Sequence, residues 1–233
     1  MELSAIVALP ATLAENRAAA FAPLAGEPPL ARAVRTMLGT ADAPDRLEVV
    51  VAAAAPLVDD VRAVVSAHGL ADVAVIAAER TASRAQCIES ALKHIGRQGI
   101  SNHVLVHDYR RPLASITVRD RVVTGLRGGD SAVMPALPLT DSVKAVDAQG
   151  VILCTVDRST LRTVQYPRGF TTDQLLQLIA RRATEEFDEF SEAVANGLAV
   201  TLVEGDPDGF VADLPADAAF VEAIIARRPV AGR

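Results

Sequence analysis

The sequence predicts an α/β fold: a mostly parallel sheet flanked by helices, with a projecting β-hairpin arm. Three observations carry this. Short apolar, β-branched runs alternate with stretches of helical periodicity over most of the chain, which is the pattern of βαβ units. Runs such as VLV at 104–106 are apolar throughout, as strands covered on both faces require. Half of the 233 residues are hydrophobic, enough to bury a sizeable core in one domain spanning 1–233.

The elements follow in order. Residues 4–9 form a strand, and 29–38 a helix with Leu30, Val34 and Leu38 on one face. A strand at 47–52 precedes a helix at 57–67 carrying Val58, Val61 and Val65. After a strand at 73–77, residues 84–94 place Cys87, Ile88, Ala91 and Leu92 at helical spacing. A strand at 104–106, a helix at 116–126 and a strand at 131–137 complete the regular part. The stretch 138–168 breaks the rhythm. Its extended segments, 142–146 and 151–156, flank Asp147-Ala148-Gln149-Gly150, a hairpin signal in which Gly150 supplies positive φ. Such an arm must bury its apolar face, and a second copy of the chain is the simplest partner. Helices at 171–183, capped near Thr172 or Asp173, and 185–195, a strand at 198–203 and a helix at 216–226 close the chain.

Net charge is −6, which argues against an electrostatically driven nucleic-acid binder. The two cysteines, Cys87 and Cys154, have no metal-type spacing and suggest free thiols in a reducing compartment. No apolar run reaches the length of a membrane span and no leader is evident, so the expectation is a soluble, cytoplasmic protein.

The informative stretch is HVLVHDYRRPL at 103–113. An apolar strand stops at His107-Asp108 and delivers an acid and two cations to its carboxyl end, where ligands bind in open α/β sheets. Three further stretches join it: PLTDSVKAVD, TVDRSTLRTVQYPRGFT and LVEGDPDGFVADLPADAAF. In this order and spacing they resemble the motifs of the 2-C-methyl-D-erythritol 4-phosphate cytidylyltransferase family (4-diphosphocytidyl-2-C-methylerythritol synthases), most densely over 104–172. The resemblance implies a doubly wound, Rossmann-like nucleotidyltransferase fold and a homodimer whose arms, at 138–168, reach into the partner's site. It implies attack by the phosphate of methylerythritol phosphate on the α-phosphorus of CTP, releasing pyrophosphate, in isoprenoid precursor biosynthesis. Positioning and charge neutralisation dominate such chemistry.

By the same resemblance, Asp108 faces the substrate polyol and helps hold a divalent metal, Mg2+. Arg111, Ser142, Arg158 and Tyr166 belong to the sugar-phosphate side. Arg84, Cys87 and Tyr109 belong to the nucleotide side, and Arg17 stands near the triphosphate. Each position has a plainer reading: Asp108 as a turn cap, Cys87 as a core thiol, Arg110 and Arg111 as surface charges. His107 reads as a brace for the loop, and the acidic run 185–189 as a solvated helix face.

The chain also departs from the family pattern. Where the family has a glycine-rich phosphate loop, it reads ALPATLAENRAAAF, and Gly26 is its first glycine; without glycine, close backbone approach to a phosphate is resisted. Family lysines fall at Ala19 and Val211. Tyr109, Arg110, Tyr166 and Phe187 are bulky where the family has small or hydroxyl residues, which predicts a pocket partly filled or re-shaped. Two functions therefore stand: a cytidylyltransferase weakened by these losses, or a catalytically silent or repurposed paralogue acting as a binding or regulatory dimer.

Overall fold

Runs rich in alanine and β-branched residues build the sheet of the computed structural model, which describes residues 2–39, 47–70, 73–99, 101–182 and 186–228. The elements are β1 (Leu3–Leu9), α1 (Ala18–Phe21), α2 (Pro29–Leu38), β2 (Glu48–Ala54), α3 (Val58–Ala67), β3 (Val73–Ala78), α4 (Arg84–Gln98), β4 (His103–His107) and α5 (Ile116–Arg127). There follow β5 (Ala132–Pro138), β6 (Val143–Val146), β7 (Ile152–Val156), β8 (Arg162–Val164), β9 (Arg168–Thr171), α6 (Thr172–Arg181), α7 (Glu189–Ala195), β10 (Thr201–Glu204) and α8 (Ala218–Arg227).

The sheet order is β10-β5-β9-β4-β1-β2-β3, with β8 paired to β5. Strand β1 is buried along its whole length and pairs in parallel with β2 on one side and β4 on the other. The chain therefore winds outward from β1 in both directions, and the crevice between β1 and β4 is the topological switch point where such sheets bind ligands. Helices α2, α3 and α5 pack in one row and α4, α6 and α7 in another. The mostly parallel α/β sheet expected from the sequence is the one formed.

Two strands fall outside the expected ones: β8, which pairs antiparallel with the end of β5, and β9. β9 runs antiparallel between β4 and β5, where the sequence suggested only the approach to a helix. Gly169 makes this possible: a Cβ there would lie 2.6 Å from Val122 Cγ1 and 2.9 Å from Leu126 Cδ1 on α5. The close approach of strand to helix admits no side chain at that position.

Local signals fix the helix ends. Pro29 occupies the first turn of α2, and Gly39 at φ 76° ends it. Ser83 and Gln86 form a reciprocal capping box that starts α4. Thr171, rather than Thr172 or Asp173, caps α6: its hydroxyl accepts from the Gln174 amide. The expected helix ends at Ala183 and Glu185 lie outside the described residues. β6 and β7 pair as a separate two-stranded ribbon; Asp147 Oδ1 accepts from the Gln149 and Val151 amides, and Gly150 sits at φ 83°. Val146, Val151, Ile152 and Leu153 on this ribbon are all more than half exposed. No helix among the described residues is long and apolar enough to cross a membrane.

Candidate functional site

The carboxyl ends of β1, β3 and β4 open into a cleft of about 800 Å³. Pro10 and Thr12 follow β1, Ser83 and Arg84 begin α4, and Asp108, Tyr109 and Arg110 follow β4. Phe187 and Asp188 close the far wall at the start of α7. The site therefore sits where the sheet topology predicts, at the switch between β1 and β4.

Asp108 is only 1% exposed. Its Oδ1 accepts from the Arg110 amide at 3.0 Å and from Arg110 Nε at 3.1 Å; its Oδ2 accepts from Nε at 3.1 Å and from Nη2 at 2.7 Å. Burial alone would raise the pKa of this carboxyl. The Arg110 hydrogen bonds and the charges of Arg84 and Arg110 outweigh it and hold the group at about 2. The acid is thus a carboxylate clamped by the residue two positions on.

Behind it lies a buried ionic network centred on Tyr166. The Tyr166 hydroxyl donates to Glu189 Oε2 at 2.7 Å. Arg84 grips Glu189 Oε1 through Nη2 at 2.8 Å and Nε at 3.1 Å. Arg168 Nη1 donates to Glu189 Oε2 at 2.8 Å and to Asp188 Oδ1 at 2.6 Å. The guanidinium carbons of Arg168, Arg111 and Arg84 lie 4.1, 5.3 and 5.5 Å from the ring centroid, within cation–π range. Burial and the Glu189 charge raise the pKa of the Tyr166 phenol, so it stays a donor. His107, wholly buried beside the Tyr166 ring, has neither ring nitrogen hydrogen-bonded. Burial, helped by the charges of Arg111 and Arg84, pushes it down to about 4, so it packs as the neutral imidazole.

Of the residues expected at the site, Arg84, Asp108 and Tyr109 line the cleft. Tyr166 and Arg111 stand behind it. Arg111 Nη1 donates to the Gly209 carbonyl and Nη2 to that of Val164 at 3.4 Å, tying the closing segment to the end of β8. Cys87 is fully buried, its thiol donating to the Leu9 carbonyl at 3.4 Å, and burial pushes it up to about 11; this is the core-thiol geometry and offers nothing to a nucleotide in the cleft. Arg17 is turned to Asp60 and the Pro56 carbonyl on and before α3 and does not line the cleft. Ser142 and Arg158 lie on and beside the exposed arm, with Arg158 donating to the Thr140 carbonyl.

The acidic run needs correction. Glu189 is fully buried, not on a solvated face, because Arg84, Arg168 and Tyr166 supply its partners. Phe187 is buried as well; Glu185 lies outside the described residues. Arg168 and Glu189 escaped sequence reading, since nothing local marks an acid 21 residues from its cation. The expected crowding is only partly realised: both tyrosines are buried, yet the cleft keeps about 800 Å³.

In place of a glycine-rich phosphate loop, residues Ala11–Glu15 form a 3-10 turn and α1 follows, with Leu13 and Ala20 packed inside. The donors present do not match the divalent metal that the resemblance implies. Among the described residues no three His, Cys, Asp or Glu side chains converge on a common point, and the acceptor positions of Asp108 are taken up by Arg110. The arrangement does not fit a metal at Asp108.

Comparison with known proteins agrees with this architecture. The family model for 2-C-methyl-D-erythritol 4-phosphate cytidylyltransferase matches residues 9–227. The enzyme of that name from Nocardia farcinica is 36% identical over 93% of this chain and 89% of its own. That from Frankia casuarinae is 36% identical over 88% of this chain and 73% of its own. Among solved structures, the 4-diphosphocytidyl-2C-methyl-D-erythritol synthase of Anaerococcus prevotii superposes with a TM-score of 0.76 at 18% identity, covering 97% of this chain and 99% of that one. The cytidylyltransferase of Thermus thermophilus gives 0.70 at 24% identity, covering 97% and 100%. At these identities the structures attest the shared fold.

Proposed function

The chain belongs to the 2-C-methyl-D-erythritol 4-phosphate cytidylyltransferase family, and from that premise we propose that it binds CTP in the cleft and transfers the cytidylyl group to methylerythritol phosphate. In this reading an oxygen of the sugar phosphate attacks the α-phosphorus, the bond to the β-phosphate oxygen breaks, and pyrophosphate leaves. The product feeds isoprenoid precursor synthesis in the cytoplasm. One observation carries the reading: Asp108, the acid of the family's strand-end motif, stands with Arg84 in an open cleft at the switch point.

The chain's own residues would work by charge. Negative charge builds on the triphosphate as pyrophosphate departs, and fixed cations at that point stabilise it. Arg84 is held in place by Glu189, so its orientation is set before substrate arrives. Tyr109 on the cleft wall would bound the space for a base with an aromatic side chain. Ser142 and Arg158 act from the arm of a second copy, across a homodimer.

A second reading is favoured by the clamp on Asp108 and by the absence of glycine before Gly26: a non-catalytic dimer that binds its ligands without turning them over. Calorimetric titration with CTP and with methylerythritol phosphate, followed by an assay of pyrophosphate release, separates the two. CTP binding on the order of micromolar with turnover establishes the first. Binding without turnover establishes the second, and binding of neither compound overturns both.

A further inference from the structure

We infer that Arg110 takes the place of a divalent cation at Asp108, so that this cleft receives the phosphates of its nucleotide without a protein-bound metal. The inference rests on the reading of the cleft as a nucleotide site. A carboxylate offers about four acceptor positions. At Asp108 three N–H groups of Arg110 engage them: the amide on Oδ1, Nη2 on Oδ2, and Nε shared between the two oxygens, at 2.7 to 3.1 Å. An incoming ion would have to displace hydrogen bonds to a carboxylate that is 1% exposed and would then lie against a guanidinium. Arginine cannot lose its proton to relieve that repulsion.

The same arginine is not spent on the carboxylate. Its side chain is 52% exposed, it lines the cleft together with Arg84, and its Nη1 has no hydrogen-bond partner among the described residues. One edge of the guanidinium is therefore fixed by Asp108 while the remaining N–H groups stay free for an anion. Guanidinium groups suit phosphate by geometry and remain charged at any working pH. A cation anchored on Asp108 is what a metal would supply there, and in this chain it is covalently attached.

The test uses Mn2+ as the metal probe and CTP as the phosphate probe. Electron paramagnetic resonance of free Mn2+ is followed in titrations of the wild type, Asp108→Asn, Arg110→Ala, and Arg110→Ala combined with Asp108→Asn. The expected result is no site in the wild type, a site gained in Arg110→Ala, and its loss in the double variant. A wild-type site abolished by Asp108→Asn, or no gain in a folded Arg110→Ala, would overturn the inference. In parallel, wild-type affinity for CTP is measured in EDTA and in Mg2+. Equal affinity in the two, with a loss of roughly tenfold or more for Arg110→Ala in EDTA, supports it; CTP binding that appears only with Mg2+ sinks it. These wild-type arms decide the matter even if a variant fails to fold. Absence of CTP binding under every condition would reject the functional reading instead, and the Mn2+ titration would still decide whether Arg110 excludes a metal.

Discussion

The hydroxyl of Tyr166 lies 2.7 Å from Oε2 of Glu189, and both side chains are withdrawn from solvent. This bond joins the end of β8 and start of β9 to the first turn of α7, and Arg84 extends it to the first turn of α4. The wall of the cleft is thereby held by ionic and aromatic contacts rather than by apolar packing alone. Buried charges of this kind stabilise only while each has its partner.

Removing the central acid should therefore be expensive. Glu189→Ala leaves Arg84 and Arg168, whose side chains are 15% and 7% exposed, facing each other across Tyr166. The expected loss is about 3–5 kcal/mol. Tyr166→Phe removes one donor while both arginines keep Glu189, and should cost about 1–2 kcal/mol. Urea denaturation of the two variants checks the order; a Glu189→Ala variant no less stable than Tyr166→Phe would refute the network's role.

Stability should fall with acid in a window set by His107. Burial holds its pKa at about 4, below the ordinary imidazole value of 6.5, so the unfolded chain takes up a proton in that interval and the folded chain does not. The contribution is fully present above pH 6.5 and is lost as pH falls through about 4, amounting to about 3 kcal/mol. Asp108 acts lower, between the ordinary carboxyl value of 3.8 and about 2, again with stability lost towards acid. His107→Leu, which forfeits no hydrogen bond, should flatten the upper window. The remaining slope belongs to groups such as His103, whose pKa burial also lowers. Denaturant midpoints from pH 7 to 4 read this directly.

How far the molecule was legible in its sequence follows from how local each signal is. β1 and β4 could be read because strands buried on both faces are apolar at every position, and Asp108 because it ends such a strand. β9 could not. RGFT holds one large apolar residue, and its burial depends on Gly169 letting α5 approach and on Arg168 finding Asp188 and Glu189. Glu189 looked like one more exposed acid, since a run of acids carries no mark of which member will meet buried cations. Arg110 stood out as a large residue at a small position; that it would fold back onto Asp108 was a matter of side-chain geometry. Tyr166 stood out likewise, but the three guanidinium groups around its ring come from α4, β9 and the loop after β4.

The arm offers a direct test of assembly. Ile152 and Leu153 are 63% and 64% exposed on a two-stranded ribbon, and such ribbons are marginal without a surface to cover them. Ile152→Asp combined with Leu153→Asp should convert the proposed dimer to a folded monomer, because these positions touch no core of their own. Light scattering after size exclusion, with circular dichroism as the folding control, reports it. A wild type that is monomeric at high concentration would refute the arm as a dimer element.

The last prediction separates two arginines that the sequence offered to the nucleotide, Arg84 on the nucleotide side and Arg17 near the triphosphate. Arg17 pairs with Asp60 on the flank of α3, with both side chains over a third exposed, so its truncation should change CTP affinity by less than about twofold. Arg84 lines the cleft with its orientation fixed by Glu189, and losing a preorganised cation beside a phosphate should weaken CTP binding by roughly tenfold or more. Arg84→Ala also uncovers the buried Glu189, so the titration is run beside Arg84→Lys, which keeps the charge and gives up the two-pronged grip. If phosphate attraction dominates, Arg84→Lys should retain most of the affinity that Arg84→Ala loses. If both fall equally, the geometry held by Glu189 matters more than the charge. An Arg17→Ala variant as impaired as Arg84→Ala would show that the turn at Ala11–Glu15 swings over the ligand, and would return Arg17 to the site.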